Sequence, residues 1–142
     1  MICHYQQSLG IKQEIVMKIQ LVLLAVFTTL SAPAFADGDA VAGKSVFKKC
    51  QACHTIDGAN RVGPTLAGIV GRPVASADGF KYSPAMTEFA DGGKIWDEEL
   101  LTQFLNAPKA TVKGTSMAFA GVKKPDDLSN LIAYLNDPSK AD

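Results

Sequence analysis

Cys50 and Cys53 stand three positions apart, and His54 follows the second thiol directly, in the run Cys50-Gln51-Ala52-Cys53-His54. Two thiols at this spacing lie on one side of a tight turn, where each can form a thioether with a vinyl group of one porphyrin. The imidazole beside them is then held under the metal as an axial ligand. C-x-x-C-H is the attachment pattern of a c-type haem, whereas C-x-x-C alone suits a redox dithiol. A zinc site needs four protein ligands, and the chain has three cysteines and two histidines. Of these, Cys3 and His4 fall in an N-terminal segment expected to be removed. A redox dithiol wants a βαβ context, and no run of period-two alternation precedes Cys50. The motif therefore predicts one covalent haem c.

Haem iron with one histidine has a second face, and what stands there decides function. Without the N-terminal segment, His54 is the sole histidine, which excludes a bis-histidine site. The remaining soft donors are Met86 and Met117. Met117 lies in Lys113-Gly114-Thr115-Ser116-Met117-Ala118-Phe119, a glycine-bearing loop far enough along the chain to wrap to the other face. Met86 follows Pro84 on an expected short helix, where a methionine is more often core packing. The spacing favours Met117. A thioether ligand favours ferrous iron and raises the reduction potential. With both faces taken, substrate cannot reach the metal, so the chemistry expected is electron exchange and not catalysis.

Short helices must position these groups. Asp39 can cap a first helix running from Ala40 to about Lys49. Residues 55–82 show little helical periodicity and much punctuation, including Gly58, Gly63-Pro64, Gly68, Gly71, Pro73 and Gly79. So long a loop is unusual in a small domain unless it packs on a cofactor. Ser83-Pro84 can open a short helix, the serine capping and the proline in the first turn. Asp97, Glu98 and Glu99 put acids at the start of another, with Leu100, Leu101, Phe104 and Leu105 as its apolar stripe and Pro108 as its limit. A last helix starts at Pro125-Asp126-Asp127, buries Leu128, Leu131, Ile132 and Leu135 at helical spacing, and stops before Pro138. The fold class predicted is all-α: four to five short helices and long loops wrapped around one covalently bound haem.

The 142 residues divide near Ala36. Lys18, the uncharged stretch Ile19–Leu30 and the run Ser31-Ala32-Pro33-Ala34-Phe35-Ala36 have the form of a secretory signal peptide. Twelve residues are too few for a membrane span, which takes about 20. Met17-Lys18 makes a more ordinary start than Met1, so residues 1–16 are expected to be either a long leader or the stretch after an upstream start codon that is not used. Residues 1–36 are expected to be leader and signal, and residues 37–142 a single domain. Removing Lys12, Lys18 and Glu14 leaves 12 basic and 13 acidic residues, a net charge near −1. Neither a basic excess nor an aromatic-interleaved basic run points to nucleic acid. Export fits a c-type haem, which bacteria attach outside the cytoplasmic membrane.

Together these motifs resemble class I cytochrome c, close to the small soluble bacterial and mitochondrial type. After the haem motif come Gly63-Pro64-Thr65-Leu66, Gly71-Arg72, Gly79-Phe80-Lys81-Tyr82, Trp96, Met117-Ala118-Phe119-Ala120-Gly121-Val122-Lys123-Lys124 and Leu131-Ile132-Ala133-Tyr134-Leu135. They stand in the family's order, over roughly residues 40–136. The resemblance implies that the Pro64 carbonyl accepts from His54 Nδ1–H, and that Arg72, Tyr82, Trp96 and Thr115 hydrogen-bond a buried propionate. It implies a close contact of Gly43 and Phe47 with Leu131 and Tyr134. Three departures from the common mitochondrial pattern appear: Phe104 for a tyrosine, Met86 for an asparagine and Ser116 for a lysine. They imply a drier ligand face.

The resemblance further implies a periplasmic, monomeric one-electron carrier between a quinol-oxidising complex or dehydrogenase and a terminal oxidase or reaction centre. A haem peroxidase or gas-binding protein in which Met117 does not ligate is the enzyme-class alternative. A dedicated acceptor for one periplasmic dehydrogenase would be chemically identical to the carrier. Lys48, Lys49, Lys109, Lys113, Lys123 and Lys124 flank the haem motif, the ligand loop or the turn after it. In the family such lysines ring the haem edge and steer it onto acidic redox partners. Asp37, Asp39, Asp126, Asp127, Asp137 and Asp142 are expected mostly away from that edge.

Overall fold

Asp39 stops the incoming chain and starts the first helix, its carboxylate accepting from the backbone N–H groups of Val41 and Ala42. The computed structural model describes residues 38–141. The expected leader, residues 1–36, together with Asp37 and Asp142, lies outside the described residues. Among the described residues, five α-helices follow in order: α1 Ala40–Phe47, α2 Pro84–Phe89, α3 Glu98–Asn106, α4 Pro108–Thr111 and α5 Pro125–Asn136. A 3-10 turn, Pro138–Ala141, closes the described chain. Among the described residues the extended pairing is a single antiparallel bridge between Pro73 and Ile95.

α1 and α5 cross at a glycine. A Cβ added to Gly43 would stand 2.0 Å from the Asn130 carbonyl oxygen and 2.8 Å from the Tyr134 Cβ, so only hydrogen lets the backbones meet. The crossing is sealed by Phe47, 1% exposed, and Leu131, fully buried, with the Phe47 and Tyr134 rings 5.3 Å apart. Burying side chains of this size contributes about 1.5–3 kcal/mol each. Asn130 adds a polar tie, its Oδ1 accepting from Asp39 N–H at 2.7 Å. The predicted stripe of α5 is buried in full, and α3 buries Leu101, Phe104 and Leu105 while Leu100 is half-exposed.

Two boundaries differ from the sequence reading. α1 ends at Phe47, not Lys49, because the chain tightens at once into turns: Cys50 N–H donates to Phe47 O at 2.7 Å, and His54 N–H to Cys50 O at 3.0 Å. Pro108 ends α3 but also opens α4, since proline fits the first helical position, where no N–H is needed. The long segment 55–82 is pinned beside Trp96. Gly71 N–H donates to Trp96 O and Trp96 N–H to Arg72 O, both at 2.8 Å, and Val74 N–H to Lys94 O at 2.9 Å. Among the described residues no helix is long and apolar enough to cross a membrane.

Candidate functional site

The turns after α1 set both thiols and the histidine on one cavity wall. The cavity encloses about 290 Å³ and is lined mainly by apolar surface. All nine residues singled out from the sequence face it: Cys50, Cys53, His54, Pro64, Arg72, Tyr82, Trp96, Thr115 and Met117. Met86 and Phe104 line it too. An apolar wall of this kind, with a few polar groups converging on it, suits a largely apolar occupant.

His54 is fixed by its neighbours. Its Nδ1 lies 2.7 Å from the Pro64 carbonyl oxygen. A carbonyl can only accept, so Nδ1 carries the proton, and in the neutral ring Nε2 is then the nitrogen with the lone pair, the tautomer a metal ligand requires. Gly63 packs against the ring: an added Cβ would stand 2.3 Å from its Cε1. Gly63 N–H also donates to Cys53 O at 2.9 Å, joining the Gly63-Pro64 loop to the thiol turn. The sequence reading gave Pro64 a role but missed the approach of Gly63, which no local pattern reveals.

Met117 is held from two sides. Thr115 Oγ1 accepts from its backbone N–H at 3.3 Å, so the expected propionate donor also shapes the methionine loop. Downstream, Val122 N–H donates to Leu105 O at 2.8 Å. Gly121 allows this, with φ +93° and a position where a Cβ would lie 2.1 Å from Asn106 O. Lys123 Nζ also donates to that Asn106 carbonyl.

Arg72 spends its Nη1 and Nη2 on the loop carbonyls of Ala67 and Thr65, at 3.0 and 2.8 Å. Its Nε is buried without a partner, a donor suited to an anionic group in the cavity, because an unmet buried donor is costly. Tyr82 accepts through its hydroxyl oxygen from Ala77 N–H at 3.1 Å, keeping its own proton to give. Trp96, 6% exposed, stacks obliquely on Phe104 with centroids 5.0 Å apart.

Cys50 and Cys53 are free thiols. Burial pushes the Cys50 thiol above its ordinary value and Cys53 adds to the rise, with the Lys49 ammonium opposing. A reactive redox thiol has a lowered value, and that of Cys50 is raised instead. Apolar walls, two thiols, an imidazole with Nε2 free, a thioether and an orphan guanidinium N–H fit a covalent haem with propionates. Of the six lysines expected at its edge, Lys49 lines the cavity. Asp127 pairs with Lys49 at 3.9 Å. That exposed pair has little energetic weight.

A family model for cytochrome c matches residues 40–138. Cytochrome c2 of Agrobacterium tumefaciens is 46% identical over 101 residues, 70% of this chain and 91% of that one. A c-type cytochrome cy of Rhodobacter capsulatus is 50% identical over 105 residues, 73% of this chain and 51% of that one. The chain thus spans about half the length of the latter relative. In solved structures, cytochrome cH from Methylobacterium extorquens aligns with a TM-score of 0.64 and 43% identity, covering 69% of this chain and 97% of that one. The chain belongs to the cytochrome c family. Membership fixes the cofactor, one covalent haem c, and the kind of chemistry, electron transfer by a carrier that is not an enzyme.

Proposed function

We propose that the chain is an exported one-electron carrier whose iron is held by His54 Nε2 and Met117 Sδ. The observation that carries this reading is one apolar cavity that collects two thiols, a thioether and an imidazole whose proton is committed to Pro64. The haem supplies a reversible ferric/ferrous couple. Cys50 and Cys53 anchor it through their sulfurs, and Pro64 orients the imidazole. Arg72 Nε, Tyr82, Trp96 and Thr115 receive the propionates, and the apolar walls exclude water from the metal.

Translation starts at Met17, residues 17–36 serve as the signal peptide, and residues 37–142 form the periplasmic domain. The electron donor is a quinol-oxidising complex or a dehydrogenase, and the acceptor a terminal oxidase or reaction centre. Docking uses the cavity rim, where Val62 is 82% exposed and Lys49 also stands. An apolar spot beside a cation suits a brief encounter with an acidic partner. Lys48, Lys109, Lys113, Lys123 and Lys124 extend the basic rim, and the carrier acts as a monomer.

Carbon monoxide tests the iron ligation. The reduced holoprotein is expected to leave it unbound at neutral pH and to titrate as a one-electron couple. Immediate binding would instead mean an open iron face, as in a peroxidase or gas-binding protein.

A further inference from the structure

The peptide unit joining Pro64 to Thr65 is held at both edges. Its carbonyl accepts from His54 Nδ1–H at 2.7 Å, and its N–H, on Thr65, donates to Asn60 Oδ1 at 2.9 Å. Asn60 is itself anchored, Nδ2 donating to the Asp78 carbonyl at 2.8 Å. Only one orientation of the amide meets both partners, because Thr65 N–H needs an oxygen and the Asp78 carbonyl needs an N–H. Asn60 is thus an oriented acceptor that touches neither the cavity nor His54.

We infer that Asn60 is a positioning residue for the axial histidine, acting through the shared peptide on the donor strength of His54 Nε2. An acceptor on the N–H edge draws the peptide dipole, leaving more negative charge on the Pro64 oxygen. Linked hydrogen bonds strengthen one another in this way by about 10–30% per bond. A stronger carbonyl acceptor pulls harder on the Nδ1 proton and makes Nε2 a better donor, as partners behind a ligand do elsewhere. A better donor favours ferric iron, so Asn60 holds the potential down. Asn60 is exposed, and water can satisfy Thr65 N–H when it is removed. Water lacks the anchor on Asp78, however, so orientation and part of the polarisation are lost.

The inference rests on His54 being a ligand, as proposed above. Two variants separate tuning from simple bracing. Asn60→Ala loses both the oxygen facing Thr65 and the tether to Asp78. Asn60→Asp keeps an oxygen, now charged, but also loses the tether. The readouts are the His54 Nδ1–H proton resonance of the reduced holoprotein and the midpoint potential. For Asn60→Ala we expect an upfield shift of that resonance and a higher potential. For Asn60→Asp the resonance should move the other way and the potential fall to or below the parent's, although both variants lose stability. Equal shifts in the two variants, or lost stability with both readouts unmoved, would overturn the inference. Should Asn60→Ala fail to mature, Asn60→Asp against the parent decides: a raised potential overturns it. If the parent lacks ring-current-shifted imidazole resonances from His54, the ligand reading fails, and this inference with it.

Discussion

Gly63 lies so near the imidazole of His54 that a methyl group has nowhere to go: its carbon would stand 2.3 Å from Cε1 and 2.7 Å from Nδ1. Gly63→Ala must therefore push the ring or the loop. It should destabilise the holoprotein by about 1–3 kcal/mol, the usual cost of overpacking, and shift the midpoint potential. Unfolding by urea and a redox titration read the two effects, and an unmoved potential would mean the ring is set elsewhere. Phe104 invites the opposite change. It is buried, lines the cavity with Met117 and stacks on Trp96. Phe104→Tyr would place a hydroxyl in the cavity that Met117 also lines, and a thioether sulfur is a weak acceptor. The midpoint potential should move; an identical value would remove Phe104 from any account of tuning. At this scale the sequence was readable where residues are close along the chain: Cys50, Cys53 and His54 share one run and one cavity wall. Met117, favoured over Met86 for its loop, shares the cavity with them. Thr115 on the Met117 amide and Asn60 on the Thr65 amide were not readable as such. A hydrogen bond from a common polar side chain to backbone leaves no periodic or compositional trace.

The α1–α5 crossing is the element on which the thiol turn stands. Gly43→Ala would force a carbon to within 2.0 Å of the Asn130 carbonyl, and backbone cannot swing aside as a side chain can. We expect about 1–3 kcal/mol of destabilisation with an unchanged visible spectrum, since Gly43 itself does not line the cavity. A spectrum that changed with stability would show that the crossing also sets the iron ligands. At the far end of α5, Asp137 accepts from Ser139 Oγ at 2.6 Å and from Ser139 N–H at 3.2 Å. The Ser139 hydroxyl chiefly, with its backbone N–H and Lys140, holds the carboxyl below its ordinary value of 3.8. A carboxyl lowered on folding adds stability above the ordinary value, lost as pH falls through the lowered one. Asp137→Asn should therefore differ in melting temperature from the parent more at neutral than at acid pH; a gap independent of pH would contradict this. Amphipathic spacing and caps made α2, α3 and α5 legible. α4 and the closing 3-10 turn were missed because each is a single proline-led turn with no apolar period to detect.

For the whole molecule, what matters is how a domain of near-zero net charge meets a partner. Its cavity rim carries Val62 and Lys49, with further lysines nearby in sequence. Reduction by an acidic redox partner should slow as salt rises, because exposed charges are screened over about 10 Å at 0.1 M. A rate independent of salt would remove electrostatic steering. The all-α architecture was legible as a whole, and so was its oddest feature, the long unstructured segment after the haem motif. That segment walls the cavity through Pro64, Leu66, Ile69, Arg72, Phe80 and Tyr82, so it packs inward on a space suited to a large, mainly apolar group. The most direct test is the intact mass of the protein under denaturing conditions, after expression with c-type maturation machinery. The account predicts the mass of residues 37–142 plus one haem, retained through denaturation and lost when Cys50 and Cys53 are both replaced by alanine. The bare polypeptide mass, from a preparation without Soret absorption, would contradict it.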